Sequence, residues 1–294
     1  MKQATFSAYK NFEHLADIIG FFDEGFEFYI HVDKKSKVPK AVLEKIRERK
    51  NVKILSQKYR VNWGGLNHLK SALFLADKAL KESDNQYFHL ISGQDFPIKN
   101  MSQFKTITNS SILKDYLEYF ELPTENWANE NGGFDRIQYY HLLDTLNAKK
   151  HIKRLWWFVR LQKKFSFKRT IKSKVPKLYG GSTWWSLSRE TLQYVIDYTD
   201  KRPYLIKRLK YTFCPEEIYF QTVIMNSDFA KKVINDNLRY IDWENNRIGK
   251  YNASPAVLSI ADFEKIIVSE KLFARKFEAP ISDNLKAKLL KNKS

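Results

Sequence analysis

The first third of the chain predicts an α/β fold, because short apolar strands alternate with amphipathic helices. Residues 27–32 are typical of a strand, residues 67–81 of an Ala- and Leu-rich helix, and residues 87–91 of a buried strand. The length of 294 residues and the 43% hydrophobic content support a large core at the upper size limit of one domain. Since no linker divides the chain, we expect a single domain over residues 1–294.

Two further segments continue this alternation. Residues 40–50 predict a helix and residues 51–55 predict a strand. Polar loops follow two of the strands and carry Asp33 and Asp95. Ligands of open α/β sheets bind at the carboxyl ends of strands, so both aspartates are candidate binding residues. Asp and Gly also form ordinary turns at such positions, and neither loop alone decides between these roles.

The segment Cys-Pro-Glu-Glu at residues 214–217 predicts the start of a helix with two carboxylates in its first turn. Pro215 suits the first helical position, where its missing N–H costs nothing, and the helix dipole favours the negative charges of Glu216 and Glu217. Apolar residues at 218, 220, 223 and 224 would anchor the helix. These acids can be catalytic or can simply improve the helix start.

The formal net charge of +18, from 51 Lys and Arg against 33 Asp and Glu, predicts an anionic partner. A nucleic acid, an acidic membrane surface and a phosphate-bearing substrate all fit this charge. The single cysteine, Cys214, excludes an internal disulfide, so we expect a cytoplasmic protein. No apolar stretch of about 18 residues occurs, and the charged amino terminus resembles no export signal.

A basic, aromatic segment at residues 151–165 places cations between large apolar side chains, among them Trp156 and Trp157. Helices that lie in the plane of a membrane surface have this composition. An ordinary helix that packs its aromatic face on the core, with Lys and Arg reaching to solvent, has it as well. The sequence leaves both interpretations open.

The sequence lacks the motifs of several common catalytic and binding sites. The six histidines form no HxxxH or HxH pattern, and one cysteine cannot build a Cys-based zinc site. P-loop, GxGxxG and GxSxG motifs are absent, and no helix-turn-helix or RNP-like signature supports nucleic-acid binding. The closest approach to a metal-binding Asp-x-Asp is Asp-Trp-Glu at residues 242–244. We therefore expect no metal, no cofactor and no nucleic-acid partner, and Lys and Arg would neutralise any bound diphosphate.

Six segments carry a resemblance to a known family. They are His-Val-Asp-Lys-Lys-Ser at 31–36, Val-Asn-Trp-Gly-Gly at 61–65, Leu-Ile-Ser-Gly-Gln-Asp-Phe-Pro-Ile-Lys at 90–99, Gly-Ser-Thr-Trp-Trp-Ser-Leu-Ser-Arg-Glu at 181–190, Cys-Pro-Glu-Glu at 214–217 and Leu-Phe-Ala-Arg-Lys-Phe at 272–277. In these segments the chain resembles the core-2/I-branching β-1,6-N-acetylglucosaminyltransferase family, glycosyltransferase family 14, which includes peptide O-xylosyltransferases. Any one of these segments is weak evidence for the family, whereas six segments in the order that the family has are specific evidence for it.

The resemblance implies a GT-A-type fold with a Rossmann-like mixed central sheet flanked by helices. It places a nucleotide-sugar-binding half at about residues 1–115 and an acceptor-binding and catalytic half at about residues 116–294. It also implies inverting transfer of a sugar, N-acetylglucosamine or a related one, from a UDP-sugar to a hydroxyl of a glycan. The family works without metal, in agreement with the missing Asp-x-Asp.

The resemblance also implies roles for individual residues. Glu217 matches the catalytic base of the Pro-Asp/Glu-Glu motif, and Glu216 is a supporting residue beside the acceptor. Asp33 matches the aspartate that contacts the uridine of the donor, and Lys276 matches the lysine that neutralises the diphosphate. Asp95 lies in a motif near the acceptor.

One expected residue is missing. Animal members of the family place a second phosphate-binding arginine upstream of the lysine, whereas residues 251–257 contain none. Arg239, Arg247, Lys250 and Arg275 are candidates to replace it, and we assign Arg275 to the donor site. Without a replacement, the chain would be a catalytically impaired protein that binds a sugar nucleotide or a polysaccharide.

Aromatic and basic side chains are the remaining candidates for the acceptor site. Trp184 offers a flat face for a sugar ring, whereas Trp185 is expected to pack inward by strand alternation. Arg136 and Tyr139 are further acceptor candidates. The lack of the disulfides and anchor of the animal enzymes suggests a bacterial cytosolic member, peripheral at the inner membrane face, that acts on a glycan or lipid-linked glycan for surface polysaccharide.

Two other functions are less well supported. A glycoside hydrolase needs two carboxylates roughly 5 to 9.5 Å apart, and the adjacent Glu216 and Glu217 diverge on a helix. A nucleic-acid binder would explain the positive charge, but no motif supports it.

Overall fold

The computed structural model describes residues 2–8, 12–22, 25–107, 113–244 and 254–291. Within these ranges, no helix combines the length and the apolar character needed to cross a membrane.

Strands and helices alternate through the first hundred described residues, and shorter elements follow. The strands are β1 (Lys2–Ala8), β2 (Phe26–Val32), β3 (Val52–Ser56), β4 (Tyr87–Ser92), β5 (Asp95–Pro97), β6 (Asp115–Leu117), β7 (Phe120–Glu121), β8 (Tyr179–Gly180), β9 (Trp185–Ser188), β10 (Val233–Ile234), β11 (Arg239–Ile241) and β12 (Phe273–Arg275). The α-helices are α1 (Phe12–Phe21), α2 (Lys40–Arg47), α3 (Leu66–Glu82), α4 (Met101–Thr106), α5 (Phe134–Gln138), α6 (Ala148–Lys164), α7 (Arg189–Lys201), α8 (Tyr204–Arg208), α9 (Tyr219–Met225), α10 (Phe263–Val268) and α11 (Asp283–Lys291). Turns of 3₁₀-helix cover Glu125–Gly133, Pro215–Glu217, Asp228–Lys232 and Ile260–Asp262.

A seven-stranded sheet in the order β10-β6-β9-β4-β1-β2-β3 forms the centre. Strands β3, β2, β1 and β4 are parallel, whereas β9 runs antiparallel to both β4 and β6. The predicted α/β fold with a Rossmann-like mixed central sheet flanked by helices is therefore confirmed. Strands from both predicted halves share this sheet, and the single-domain assignment stays a prediction.

The central sheet is buried on both faces. Tyr29 and Leu90 face a hydrophobic cluster that includes α3, α7 and α9. Ile30 and Ile91, their neighbours along β2 and β4, face a second cluster with α1, α10 and α11. This alternation is the expected consequence of successive side chains pointing to opposite faces of a sheet. Helices on both faces leave the strand ends and their loops to build a site.

The Cys-Pro-Glu-Glu segment differs from the prediction of an α-helix start. Pro215–Glu217 is a 3₁₀ turn, and α9 begins only at Tyr219. Cys214 adopts the left-handed conformation with φ 48°, and Ile218 has φ −126°, which interrupts the helical backbone. The two glutamates therefore lie in a separate turn before the helix.

Candidate active site

Backbone hydrogen bonds hold the Pro215–Glu217 turn between two other motif loops. The amide of Cys214 donates to the carbonyl of Gly64 over 2.9 Å, and the amide of Gly181 donates to the carbonyl of Glu217 over 2.9 Å. A Cβ on Gly64, at φ +73°, would lie 2.9 Å from the Phe213 ring. A Cβ on Gly181 would overlap the carbonyl oxygen of Glu118. Glycine is required where these loops approach the turn so closely.

The carboxylate of Glu217 is mostly enclosed but reachable. Its Oε2 accepts a hydrogen bond from Nη1 of Arg136 at 2.6 Å, and 28% of the side chain stays exposed. Burial raises the pKa of Glu217 from 4.5 to about 7, although the charge of Arg136 opposes this rise and that of Glu216 adds to it. A carboxylate with a pKa near neutrality can accept a proton efficiently.

Arg136, on α5, is buried and links two carboxylates. Its Nε donates to Glu130 and its Nη1 to Glu217, while its guanidinium lies 3.6 Å from the centre of the Trp127 ring. Burial alone would lower the pKa of Arg136, but the charge of Glu217 leads the effects that raise it overall. The prediction placed Arg136 beside the acceptor. In the structure its guanidinium contacts the candidate base, and direct acceptor contact stays a prediction.

Glu216 is more deeply buried than Glu217 and has a partner that the sequence did not indicate. Its Oε1 lies 3.0 Å from Nδ1 of His68 on α3, and its Oε2 has no hydrogen-bond partner in the part of the chain that the structure describes. Burial lowers the pKa of His68, but the charge of Glu216 and its hydrogen bond outweigh this, so the pKa is raised overall. The charges of Glu217 and Arg275 also act on His68.

Asp33 joins the loop after β2 to the loop that precedes α3. Its Oδ1 accepts from the amides of Lys35 and Val61, each at 3.0 Å, and Nζ of Lys35 lies 3.3 Å from its Oδ2. Nζ of Lys35 also donates to the carbonyl of Val61 at 2.8 Å. Asp33 thus organises these two motif loops, and its contact with the uridine stays a prediction.

The buried Asp95 and the partly buried Arg275 lie together just beyond the end of β4. Oδ2 of Asp95 accepts from the hydroxyl of Ser92 at 2.6 Å and lies 3.7 Å from Nη1 of Arg275. That guanidinium also donates to the Ser92 hydroxyl at 2.7 Å and lies 4.8 Å from the centre of the Trp184 ring. Asp95 has no exposed surface and supports Arg275. Acceptor contact by Asp95 stays a prediction.

Lys276 follows Arg275 and is paired with an acid. Its Nζ lies 2.7 Å from Oε1 of Glu278, which also accepts from Nε2 of Gln94 at 2.7 Å. The side chain of Lys276 keeps some exposure. An anion can therefore reach this ammonium group by competing with Glu278.

The structure narrows the candidates for the missing arginine. Arg239 is buried, donates to the carbonyls of Leu90 and Asn237, and has its pKa lowered to about 10 by desolvation. Because Arg239 is only 4% exposed and both of its terminal nitrogens donate to these carbonyls, it is not accessible to a phosphate. Positions 247 and 250 lie outside the described residues. Among the described residues, Arg275 remains the candidate.

Three predicted aromatic contacts have different surroundings. Trp185 is fully buried, which confirms its predicted packing role. Trp184 is buried beneath Arg275, and Tyr139 is buried with Nζ of Lys163 at 5.6 Å from its ring centre. Acceptor contact by Trp184 or Tyr139 stays a prediction.

Sequence reasoning missed His68, Glu130 and Trp127 as members of this site. Residues 127–133 form a polar, Gly-containing stretch just before the helix that carries Arg136, which is a weak signal. His68 follows the Trp-Gly-Gly motif by only three residues. Among the described residues, no group of three or more His, Cys, Asp and Glu side chains could hold a metal ion. Metal independence stays a prediction.

A family model described as "Core-2/I-Branching enzyme" matches residues 5–267. This match covers most of the chain and contains five of the six motifs, whereas the motif at 272–277 lies beyond it. The chain belongs to the Core-2/I-Branching enzyme family.

Sequence relatives are animal xylosyltransferases. Xylosyltransferase 1 of Mus musculus is 27% identical over 298 residues, which cover 95% of this chain and 28% of that protein. Xylosyltransferase 2 of Canis lupus familiaris is 27% identical over 277 residues, which cover 88% of this chain and 29% of that protein. A xylosyltransferase of Ciona intestinalis is 24% identical, with 88% and 30% covered. The chain thus spans less than a third of the length of these curated relatives.

Solved glycosyltransferases resemble the chain weakly. The apo structure of the bifunctional glycosyltransferase WbbM has a TM-score of 0.43 at 10% identity, with 99% of this chain and 49% of that chain covered. The apo form of GlyE from Streptococcus pneumoniae has a TM-score of 0.40 at 10% identity, with 99% and 60% covered. A UDP complex of S. aureus TarS has a TM-score of 0.28 at 16% identity, with 40% and 35% covered. Structural similarity at these TM-scores does not indicate function.

Proposed function

We propose that this protein is an inverting glycosyltransferase that moves a sugar from a UDP-sugar to a hydroxyl of a glycan acceptor. The observation that carries the proposal is the mostly enclosed Glu217 carboxylate, with a pKa raised to about 7 and a hydrogen bond from Arg136. N-acetylglucosamine is the proposed sugar from the family, and the names of the relatives add xylose to the candidates.

The proposed reaction is a single displacement. The acceptor oxygen attacks the anomeric carbon from the face opposite the diphosphate, and the bond from that carbon to the phosphate oxygen breaks. UDP leaves with the electron pair, and the acceptor proton passes to Glu217. Because part of the Glu217 side chain is exposed, the carboxyl can release this proton to solvent before the next cycle.

Arg136 is the proposed positioning residue for the base. Its contacts with Glu130 and Trp127 fix the guanidinium, so the Glu217 carboxylate has a defined orientation. A fixed positive charge also favours the ionised form that accepts the proton. Burial and Arg136 thus set the basicity of Glu217 by opposing effects.

Lys276 and Arg275 are the proposed partners of the diphosphate. Charge developing on the leaving UDP would be stabilised by both cations, which requires Lys276 to exchange Glu278 for phosphate. The contacts of Arg275 with Ser92 and Trp184 hold its guanidinium in place. Asp33 is the proposed contact of the uridine.

Transfer is proposed to need no divalent metal, because these cations supply the positive charge. Release of UDP from donor and acceptor should therefore change by less than about twofold after treatment with EDTA. Activity that is lost with EDTA and restored by Mg²⁺ or Mn²⁺ would contradict this part of the proposal.

A screen of nucleotide sugars tests the proposed donor. A UDP-sugar that binds the native protein should raise its melting temperature, whereas nucleotide sugars with other bases should not. The bound donor is then incubated with glycan acceptors, and UDP release is measured. Binding without UDP release in the presence of any acceptor would favour the second candidate, a catalytically impaired binding protein. The interior position of Arg239 is the observation behind that alternative.

A further inference from the structure

One stretch of the chain has an unusually large net positive charge. Residues 145–177 contain twelve Lys and Arg and no Asp or Glu, against a net charge of +18 for the whole chain. Helix α6 and the loop to residue 174 form the exposed part of this stretch. We call residues 148–174 the basic aromatic surface.

The packing of α6 bears on the two interpretations left open by the sequence. Leu155, Val159 and Gln162 face the protein and are buried. Trp156 and Trp157 are 43% and 62% exposed, although the Trp156 ring also packs on the buried Phe213. This exposure of both indole rings favours the interpretation of a helix at a membrane surface.

Exposed aromatic side chains are concentrated at this surface. Six Trp and Phe residues are exposed in the described parts of the chain, and four of them, Trp156, Trp157, Phe165 and Phe167, belong to the basic aromatic surface. Trp63 adjoins it, because the rings of Trp63 and Trp156 both pack edge-on against Phe213, with ring centres 5.2 and 6.1 Å away. A clustered exposed apolar patch indicates an interaction site.

Cations flank the exposed rings. Lys153, Arg154, Arg160 and Lys164 are all exposed on α6, and none has an ion pair to a described residue. Their charges are thus available to an anionic surface. Indole rings and basic side chains together suit the boundary between lipid headgroups and acyl chains.

The surface is continuous with the candidate active site. Phe213 contacts Trp63 and Trp156, and the guanidinium of Arg136 lies 5.1 Å from the centre of the same ring. Arg136 in turn donates to Glu217. A substrate held at the basic aromatic surface would therefore lie beside the candidate base.

We propose that the basic aromatic surface docks on an anionic phospholipid bilayer and that the acceptor is a glycan anchored in that bilayer. The cations bind the headgroups, the exposed rings enter the interface, and Glu217 meets the acceptor hydroxyl at the membrane. The identity of the acceptor rests on the proposed function, whereas the docking itself does not. Nucleic acid fits less well, because Trp157, Phe165 and Phe167 are 62%, 72% and 59% exposed and protrude, whereas single-stranded nucleic acid is bound in grooves.

Vesicle co-sedimentation of the full chain without donor tests the docking. The protein should bind vesicles of phosphatidylcholine with about one third phosphatidylglycerol at least about tenfold more tightly than phosphatidylcholine alone. The double variant Lys153→Glu, Arg160→Glu should lose about tenfold or more of this binding. Trp157→Ser should weaken it too and should reduce the blue shift of tryptophan fluorescence on binding, with Trp156 accounting for part of the remaining shift.

The matched control is the double variant Lys45→Glu, Arg47→Glu, which reverses the charge of two exposed side chains on α2. This variant should keep vesicle binding. Trp243→Ser, at a residue 60% exposed outside this surface, is the aromatic control. Equal losses in both charge variants, no preference for anionic vesicles, or tighter binding to a single-stranded RNA oligonucleotide than to vesicles would overturn the proposal. The thermal shift that a UDP-sugar produces in the same variants tests the proposed function separately. Membrane docking and donor binding can therefore fail independently of each other.

Discussion

At the scale of single residues, the contact between Arg136 and Glu217 determines how the carboxylate can act. Burial favours the protonated acid, and the guanidinium favours the ionised base. The first effect dominates, so the pKa of Glu217 is about 7 rather than 4.5. At neutral pH a large share of the molecules therefore carries an ionised, reachable carboxylate.

Replacing Arg136 should change the pH dependence of transfer. In Arg136→Met the positive charge is gone and the pKa of Glu217 rises, so the ascending limb of kcat/KM against pH should move upward by about one unit. Arg136→Lys keeps the charge and should leave this limb closer to its original pH. The measurement is UDP release across pH 5 to 9. A purely structural role would lower activity at every pH without moving the limb.

Ionisation of the Glu217 carboxyl should also lower the free energy of unfolding. Its pKa in the folded protein is raised to about 7 from 4.5, so the folded state binds more protons between these values and stability falls as pH rises through this window. Glu217→Gln removes the ionisation and should stabilise the protein above pH 7 by up to about 3 kcal/mol, with no gain below pH 4.5. Urea unfolding at several pH values measures this difference. An equal effect at every pH would refute the linkage.

At the scale of elements, the turn that carries the glutamates depends on loops far away in sequence. Gly64 and Gly181 contact it through backbone hydrogen bonds, and neither position has room for a side chain. Motifs distant in the chain thus meet because their backbones pack on one turn. This explains why single motifs carried little information and their combination carried much.

Gly181→Ala tests this packing. The added Cβ would overlap the carbonyl of Glu118, so the loop must shift and the hydrogen bond from Gly181 to Glu217 weakens. We expect a loss of about 2 to 4 kcal/mol in unfolding free energy and a fall in transfer. Gly20→Ala is the matched control, because a Cβ at this helical position would make only an ordinary contact with Arg49 Nη1 at 3.5 Å. Gly20→Ala should stabilise by about 0.5 to 1 kcal/mol, and a similar result for Gly181→Ala would contradict the packing argument.

Local elements were predictable where periodicity was strong. The helix predicted at 67–81 is α3 at Leu66–Glu82, and the strand predicted at 27–32 is β2 at Phe26–Val32. The Glu216 turn was mispredicted as α-helix, because the φ of Ile218 depends on packing that local propensity does not contain. The pairs Arg136–Glu217 and His68–Glu216 span 81 and 148 residues, and no local pattern encodes such contacts.

At the scale of the whole molecule, the sheet brings the site together. Parallel β2 and β4 flank β1, so the loops with Asp33 and Asp95 leave the same edge. This placement followed from the sequence once the strands were assigned, because carboxyl ends of parallel strands share an edge. Charge is distributed unevenly along the chain, because residues 145–177 contain twelve Lys and Arg and no Asp or Glu. The candidate active site and the basic aromatic surface meet at Phe213, which contacts both Arg136 and Trp156.

The transfer activity of the Glu217→Gln variant is the most direct test of whether Glu217 is the base. UDP release with donor and acceptor should fall by about a hundredfold or more, while the thermal shift produced by UDP stays as in the unchanged protein. Glu121→Gln makes the same chemical change at an exposed glutamate on β7 and should keep full activity. If Glu217→Gln releases UDP at the rate of Glu121→Gln, Glu217 is not the base.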